Sequence, residues 1–130
     1  CIHGLEIGDE YFKKRTKLTM DASYIEQYLG KADAGKFNIL IAHNPKYFST
    51  YAKWGADLIV SGHNHGGIIG TPFKRGLIST QRTLFEKYYK GIFREKDASM
   101  IVSTGLGTHT IPVRLFNKQQ LIMIELKRSL

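Results

Sequence analysis

Cysteine, long apolar runs and acidic residues are all scarce in this chain of 130 residues. Cys1 is the single cysteine, so no intrachain disulfide can form, which suits a reducing compartment. No apolar run approaches the ~20 residues of a membrane-spanning helix, and no signal-peptide pattern opens the chain. Linker-like, repetitive and low-complexity stretches are also missing from the sequence. We therefore expect residues 1–130 to form a single, partial domain with no internal boundary.

The charge that is present is mostly positive, with 19 lysine and arginine residues against 11 acidic residues and a net charge of +8. Residues 68–97 concentrate this charge, interleave it with aromatic side chains and show no sustained periodicity, which predicts a long irregular segment. Its positive field would favour phosphate esters or acidic lipid headgroups, and nucleic acid less strongly. A solvated basic face above packed aromatic side chains fits the same composition as well as a substrate loop does.

Two closely spaced histidines, His63 and His65, follow a short apolar run within the sequence DLIVSGHNHGG. The run predicts a buried strand that stops at Gly62, where glycine would let the backbone turn. Side chains at positions i and i+2 of extended backbone point to the same side, so the two imidazoles would face one direction. Neutral imidazole is the commonest metal ligand in proteins. The pair therefore predicts a metal site, and a pair of surface-loop histidines is the plainer alternative.

A third histidine, His43, follows a second apolar run at residues 38–42, which also predicts a strand. Residues 46–54 between the two strands show an apolar stripe at helical spacing. A strand–helix–strand unit has parallel strands, and their carboxyl ends meet at the edge where open α/β sheets bind ligands. We therefore expect His43 to lie beside His63 and His65.

The predicted helices have recognisable beginnings. For the helix over residues 46–54, Asn44 can serve as the N-cap and Pro45 fits the first helical position. A capping box formed by Ser23-Tyr24-Ile25-Glu26 predicts a second, short helix that ends at Gly30.

These segments resemble the fourth and fifth motifs of the calcineurin-like metallophosphoesterases, whose last motif is Gly-His-x-His. The sequences LIAHNP (residues 40–45) and SGHNHGG (residues 61–67) carry the resemblance. STGLGTHTIPVRLF and LIMIEL are similar to the closing strands of a bacterial subgroup often described as membrane-associated phosphohydrolases. The resemblance implies an α/β fold, namely half of a four-layer α-β-β-α sandwich with a mixed sheet and a C-terminal antiparallel hairpin.

The resemblance also implies hydrolysis of phosphate mono- or diesters at two divalent metal ions, which would be manganese, iron or zinc. His43 and His63 would bind one ion, and His65 would bind the other. Four further side chains near these motifs are expected to contact the substrate: Asn44, Asn64, Arg75 and His109.

The first three motifs of the family, Asp-x-His, Gly-Asp-x-x-Asp and Gly-Asn-His-Asp/Glu, do not occur in this sequence. The chain is therefore expected to be the C-terminal half of a phosphoesterase domain, with its catalytic residues upstream of Cys1. Alone it would bind metal weakly and be inactive or nearly so. Because half a sandwich leaves an apolar face uncovered, we expect the chain to dimerise, exchange elements or require its N-terminal half.

Toward the C-terminus, residues 99–103 predict a strand, and the glycines of residues 104–108 predict a tight turn near the site. Ile111 to Phe116 and Leu121 to Leu126 alternate in polarity, so we expect them to pair as the antiparallel hairpin. His3, inside the first apolar run, is expected to be a packed residue and not a ligand.

Two other functions remain open from the sequence. One is a basic module that binds nucleic acid or an anionic membrane without catalysis, and its binding would fall steeply with salt. The other is a mononuclear zinc site made by three histidines. The expected location is cytoplasmic, or membrane-associated through a segment upstream of this chain.

Overall fold

The computed structural model describes residues 1–12, 19–63, 87–107 and 118–127. The strands and helices within these ranges are, in chain order, β1 (Ile2–Leu5), a first 3₁₀ helix (Asp9–Phe12), α1 (Ala22–Leu29), β2 (Ile39–Ala42), a second 3₁₀ helix (Pro45–Tyr47), α2 (Phe48–Trp54), β3 (Leu58–Ser61), β4 (Gly91–Glu95) and β5 (Ala98–Val102). No helix among these residues is long and apolar enough to cross a membrane.

The five described strands form one mixed sheet in the order β1-β2-β3-β5-β4. β1, β2, β3 and β5 run parallel, and β4 pairs antiparallel with β5 at one edge. The predicted parallel strand–helix–strand unit is confirmed, because β2 and β3 are adjacent and α2 connects them. The carboxyl ends of β1, β2, β3 and β5 therefore lie along the same edge of the sheet.

One face of the sheet carries the hydrophobic core. Leu40, Ile59 and Met100 are neighbours across β2, β3 and β5, and all three are fully buried. The two helices cover this face and contribute the buried side chains of Ile25, from α1, and Phe48 and Tyr51, from α2. Burial of alternate strand residues beneath two helices explains why the apolar runs in the sequence located these strands correctly.

The opposite face of the sheet is also apolar. Ile41, Val60, Ile101 and Ile92 follow one another in register across β2, β3, β5 and β4. Ile41 is 52% exposed and Ile92 is 66% exposed, and both described helices lie on the other side. We call this row of four residues the open face.

Helix α2 ends where the sequence predicts, but it begins at Phe48, two residues later than predicted, because Pro45–Tyr47 form a 3₁₀ helix capped by Asn44. The side-chain oxygen of Asn44 accepts a hydrogen bond from the Lys46 amide (3.0 Å), and the chain makes one 3₁₀ turn before α2 begins. Gly55 ends the helix in the left-handed conformation, with φ = 113°.

Helix α1 ends before Gly30 as predicted, but the predicted capping box is wrong. The N-cap is Asp21, whose carboxylate accepts hydrogen bonds from the Tyr24 amide (3.1 Å) and from the Ser23 hydroxyl (2.6 Å). Because the Ser23 hydroxyl donates to this carboxylate and its residue is already helical, Asp21 takes the capping position and the helix begins earlier.

The expected C-terminal hairpin does not appear in the described part of the chain. Residues 121–126 form no strand, and Leu121 and Met123 are 85% and 93% exposed. Alternating polarity suits a strand, but only hydrogen bonds to a neighbouring strand create one, and the expected partner, residues 111–116, lies outside the described residues. Residues 118–120 instead lie beside the turn that follows β5. There the Thr104 hydroxyl donates a hydrogen bond to the Lys118 carbonyl (3.1 Å).

The antiparallel pair in this structure is β4 with β5. β4 lies inside the segment 68–97, so the prediction of an irregular segment is wrong for residues 91–95. The sequence shows no clear signal for this strand. Ile92 and Arg94 lie on the same side of β4, and one apolar and one charged residue on one side remove the alternation that marks a half-buried strand. Residues 64–86, including the start of that segment, lie outside the described residues.

Candidate metal centre

The two described histidines of the predicted site follow adjacent parallel strands. β2 ends at Ala42 and β3 ends at Ser61, so His43 and His63 both emerge at the carboxyl edge of the sheet. Their ring centres are 5.1 Å apart and the rings meet edge to face, at 81°. The structure thus brings together two of the three predicted ligands.

Two hydrogen bonds join the strand ends from which these histidines emerge. The buried Ser61 hydroxyl donates to the Ala42 carbonyl (2.6 Å), and the Gly62 amide donates to the His43 carbonyl (3.2 Å). A small hydroxyl residue at position 61 can reach across to the neighbouring strand, which an aliphatic side chain could not do. The bonds hold the backbones of the two histidines at one place.

The turn after β3 occurs at His63 itself, and not at the glycine before it. His63 has φ = 62°, in the left-handed region, where a residue with a β-carbon is strained by about 1 kcal/mol. A β-carbon added at Gly62 would lie 3.8 Å from Nδ1 and Cε1 of His43. This is an ordinary contact distance, so the space at position 62 does not require glycine. Strained backbone of this kind concentrates at ligand-binding positions, which is consistent with a functional role for His63.

The state of the His43 ring suits a metal ligand. The side chain keeps contact with solvent, but burial of part of the ring lowers the pKa of His43 below the ordinary value of 6.5. Because the charged form is disfavoured, the imidazole stays neutral at neutral pH, and the neutral form is the one that binds a metal ion.

A residue that the sequence did not indicate lies against both histidines. Phe12, at the end of the first 3₁₀ helix, has its ring centre 5.0 Å from that of His63 and 6.3 Å from that of His43. The surrounding residues 8–20 are mostly polar and basic, a composition typical of a solvated loop or a short helix. The adjacent aromatic pair Tyr11-Phe12, unusual in such a stretch, was the available signal.

The other predicted site residues have different outcomes. Asn44 is buried and its side-chain oxygen caps the second 3₁₀ helix, so that oxygen is already engaged. His3 packs edge-on against Trp54 with ring centres 5.1 Å apart, as expected for a packed residue. Four predicted site residues lie outside the described residues: Asn64, His65, Arg75 and His109. Within the described ranges, no group of three metal-binding side chains comes together.

Comparison with curated proteins finds relatives that cover most of the chain. A Helicobacter pylori protein named as an uncharacterized metallophosphoesterase is 32% identical over 97% of this chain and 34% of its own length. Uncharacterized metallophosphoesterases of Aquifex aeolicus and of Bacillus subtilis (YkuE) are 31% and 30% identical over 78% and 72% of this chain. The chain spans about a third of the length of these relatives. No family model and no solved structure matches the chain.

Proteins named as metallophosphoesterases from three bacteria thus align with 72% to 97% of this sequence, and His43 and His63 meet at the carboxyl edge of its α/β sheet. The chain therefore belongs to the metallophosphoesterase family.

Proposed function

We propose that this chain supplies histidine ligands to a two-metal centre that hydrolyses phosphate mono- or diesters in a longer protein. In this proposal His43 and His63 hold one divalent ion, and His65 holds part of the second. The observation that carries the proposal is the meeting of His43 and His63 at adjacent strand ends.

The distance between the two imidazoles supports a shared ion. An imidazole nitrogen binds a metal at about 2.1 Å, so two imidazoles on one tetrahedral ion have ring centres about 5 Å apart. The centres of His43 and His63 are 5.1 Å apart. The donor set also fits the group, because imidazole nitrogen binds zinc, iron and manganese, all of which occur in two-metal phosphoesterases of the resembled family.

Two histidines alone cannot complete a two-metal centre, and the proposal assigns the carboxylate ligands to the longer protein. The aligned region makes up only about a third of each relative's length, which supports this assignment. The open face supports it as well, since an apolar sheet face of this kind is normally covered. We propose that upstream residues cover the open face with a second sheet, completing the four-layer sandwich.

Metal ions in such a centre clamp the phosphoryl group and supply a hydroxide nucleophile. The chain's own contribution is to hold the ions through neutral imidazoles and to attract the substrate. Its net charge of +8 favours an anionic ester. We further propose that four polar side chains contact that ester: Asn64, Arg75, His109 and Asn44, the last through its side-chain amide nitrogen, since its oxygen caps the second 3₁₀ helix.

The proposal is tested by the manganese-dependent hydrolysis of bis(p-nitrophenyl) phosphate by the longer protein. His43→Ala and His63→Ala should each lower kcat/KM by at least about a hundredfold, because loss of an outer partner of a ligand already costs 10–100-fold. The matched control is His3→Gln, which replaces a packed histidine remote from the strand ends and should keep the activity.

The 130-residue chain alone should show no manganese-dependent turnover above that of its His63→Ala variant. Full activity of the longer protein after His43→Ala, or clear turnover by the isolated chain, would contradict the proposal.

The high positive charge supports one competing function, a basic module that binds nucleic acid or anionic membranes. Binding to DNA or to anionic vesicles that weakens steeply with salt, and is unchanged by His43→Ala and His63→Ala, would favour that function over the metal centre.

A further inference from the structure

The ring of Phe12 contacts both imidazoles of the candidate metal centre. It is tilted by 48° to His63 and by 51° to His43, with ring centres 5.0 Å and 6.3 Å away. With the 5.1 Å between the two imidazoles, the three rings form one cluster at the carboxyl edge of the sheet. Rings at these separations and tilts are in the favourable range for aromatic packing.

Phe12 reaches this position through contacts that do not involve the histidines. The carbonyl of the preceding residue, Tyr11, accepts a hydrogen bond from the Tyr47 hydroxyl (3.0 Å). The Tyr11 ring also packs edge-on against Tyr47, with centres 5.7 Å apart, and against Tyr24, with centres 4.9 Å apart. These contacts tie the first 3₁₀ helix to α1 and to the second 3₁₀ helix, so the backbone beside Phe12 is anchored on two sides.

We propose that Phe12 is a positioning residue, whose ring fixes the orientations of His43 and His63 so that both imidazoles are ready to bind one ion. The proposal rests on the proposed function. Rotation of an imidazole about its outer side-chain bond is broad in the absence of packing. A flat ring packed against both imidazoles narrows that rotation before the metal arrives, and a ligand that is already ordered binds more tightly. The phenyl ring has no metal-binding atom, so it shapes the site without competing for the ion.

The test is a cobalt(II) titration of the longer protein, which supplies the remaining ligands in the proposed function, followed by the visible absorption of the bound metal. Phe12→Leu should weaken cobalt binding about tenfold, the lower range for loss of a group that orients a metal ligand. It should also alter the cobalt absorption bands, which report the ligand geometry. Phe12→Tyr keeps the ring and should restore the affinity to within about twofold. Phe37→Leu is the matched control, because Phe37 is 56% exposed and lies just before β2, at the other end of that strand.

Wild-type affinity and an unchanged spectrum in folded Phe12→Leu would overturn the proposal while leaving the proposed function intact. Equal losses in Phe12→Leu and Phe12→Tyr would also overturn it. If Phe12→Leu does not fold, nuclear Overhauser contacts in the zinc-bound wild-type longer protein decide: contacts from the Phe12 ring to both imidazoles support the proposal, and their absence overturns it. A longer protein that binds no cobalt, or binds it equally well after His63→Ala, would overturn the proposed function and this proposal together.

Discussion

The hydroxyl of Tyr51 provides a quantitative test of how the site is attached to the core. Tyr51 lies in α2, is fully buried, and donates a hydrogen bond to the carbonyl of Asn44 (2.9 Å). Asn44 follows His43 directly, so this bond connects the helix to the backbone that presents the first histidine. Tyr51→Phe removes the hydroxyl and leaves every other atom of the ring in place.

We expect Tyr51→Phe to lower the free energy of unfolding by about 1–2 kcal/mol. A typical hydrogen bond contributes about 1 kcal/mol net, and a buried acceptor that loses its donor adds a desolvation penalty. For a chain of 130 residues, this corresponds to a decrease in Tm of about 4–7 °C. Urea unfolding and a thermal melt would measure the two quantities.

Tyr89 offers a matched control for the same substitution. It is 1% exposed, and its hydroxyl has no hydrogen-bond partner among the residues that the structure describes. Tyr89→Phe should therefore be neutral or slightly stabilising, because it removes a buried polar group that gains nothing in the folded state. Equal effects of the two substitutions would refute the reasoning, since it attributes the loss in Tyr51→Phe to a hydrogen bond that the Tyr89 hydroxyl does not make with the described residues.

Three further predictions follow from the described residues. Burial raises the pKa of Tyr51 above its ordinary value of 10.0, so its neutral hydroxyl adds stability that is complete below about pH 10 and is lost as the pH rises further. Above pH 10 the free energy of unfolding should therefore decrease less steeply with pH in Tyr51→Phe than in the wild-type chain. Asp21→Ala should lower the helical circular dichroism and the Tm more than Ser23→Ala, because the Asp21 carboxylate is the cap; the reverse order would restore the capping box of the sequence prediction. Ile41→Lys should leave the Tm of the 130-residue chain nearly unchanged, as the side chain is 52% exposed, but should lower the Tm and soluble yield of the longer protein; equal effects in both would contradict a covered open face.

The residues around β2 and β3 show why part of this fold was predictable. Apolar runs of strand length, a polar cap at Asn44 and a glycine at position 55 are local signals, and each acts within a few residues of chain. The parallel pairing of the two strands followed from the helix between them. The expectation that His43 and His63 would be neighbours needed nothing more, because both follow the carboxyl ends of those strands.

β4 and Phe12 show where this reasoning stops. β4 is a strand because it forms hydrogen bonds with the edge of β5. No pattern in the sequence of Gly91–Glu95 indicates that partner. Phe12 meets the histidines through a chain of contacts that crosses from Tyr11 to Tyr47, which is 36 residues away. Contacts between residues so distant in sequence leave no periodic signal in either segment.

The amino-acid sequence by itself determined which residues lie in the parallel strands, where α2 ends, and that two histidines follow neighbouring strand ends. These properties depend on side-chain chemistry and on spacing over a few residues, so they can be predicted without knowing the tertiary contacts. Only the tertiary structure decided that the turn at the site falls on His63, that Phe12 packs on both imidazoles, and that residues 121–126 stay unpaired within the described chain. Each of these depends on contacts with residues distant in sequence or on local backbone strain. The energies of those contacts and of that strain arise only once the chain has folded.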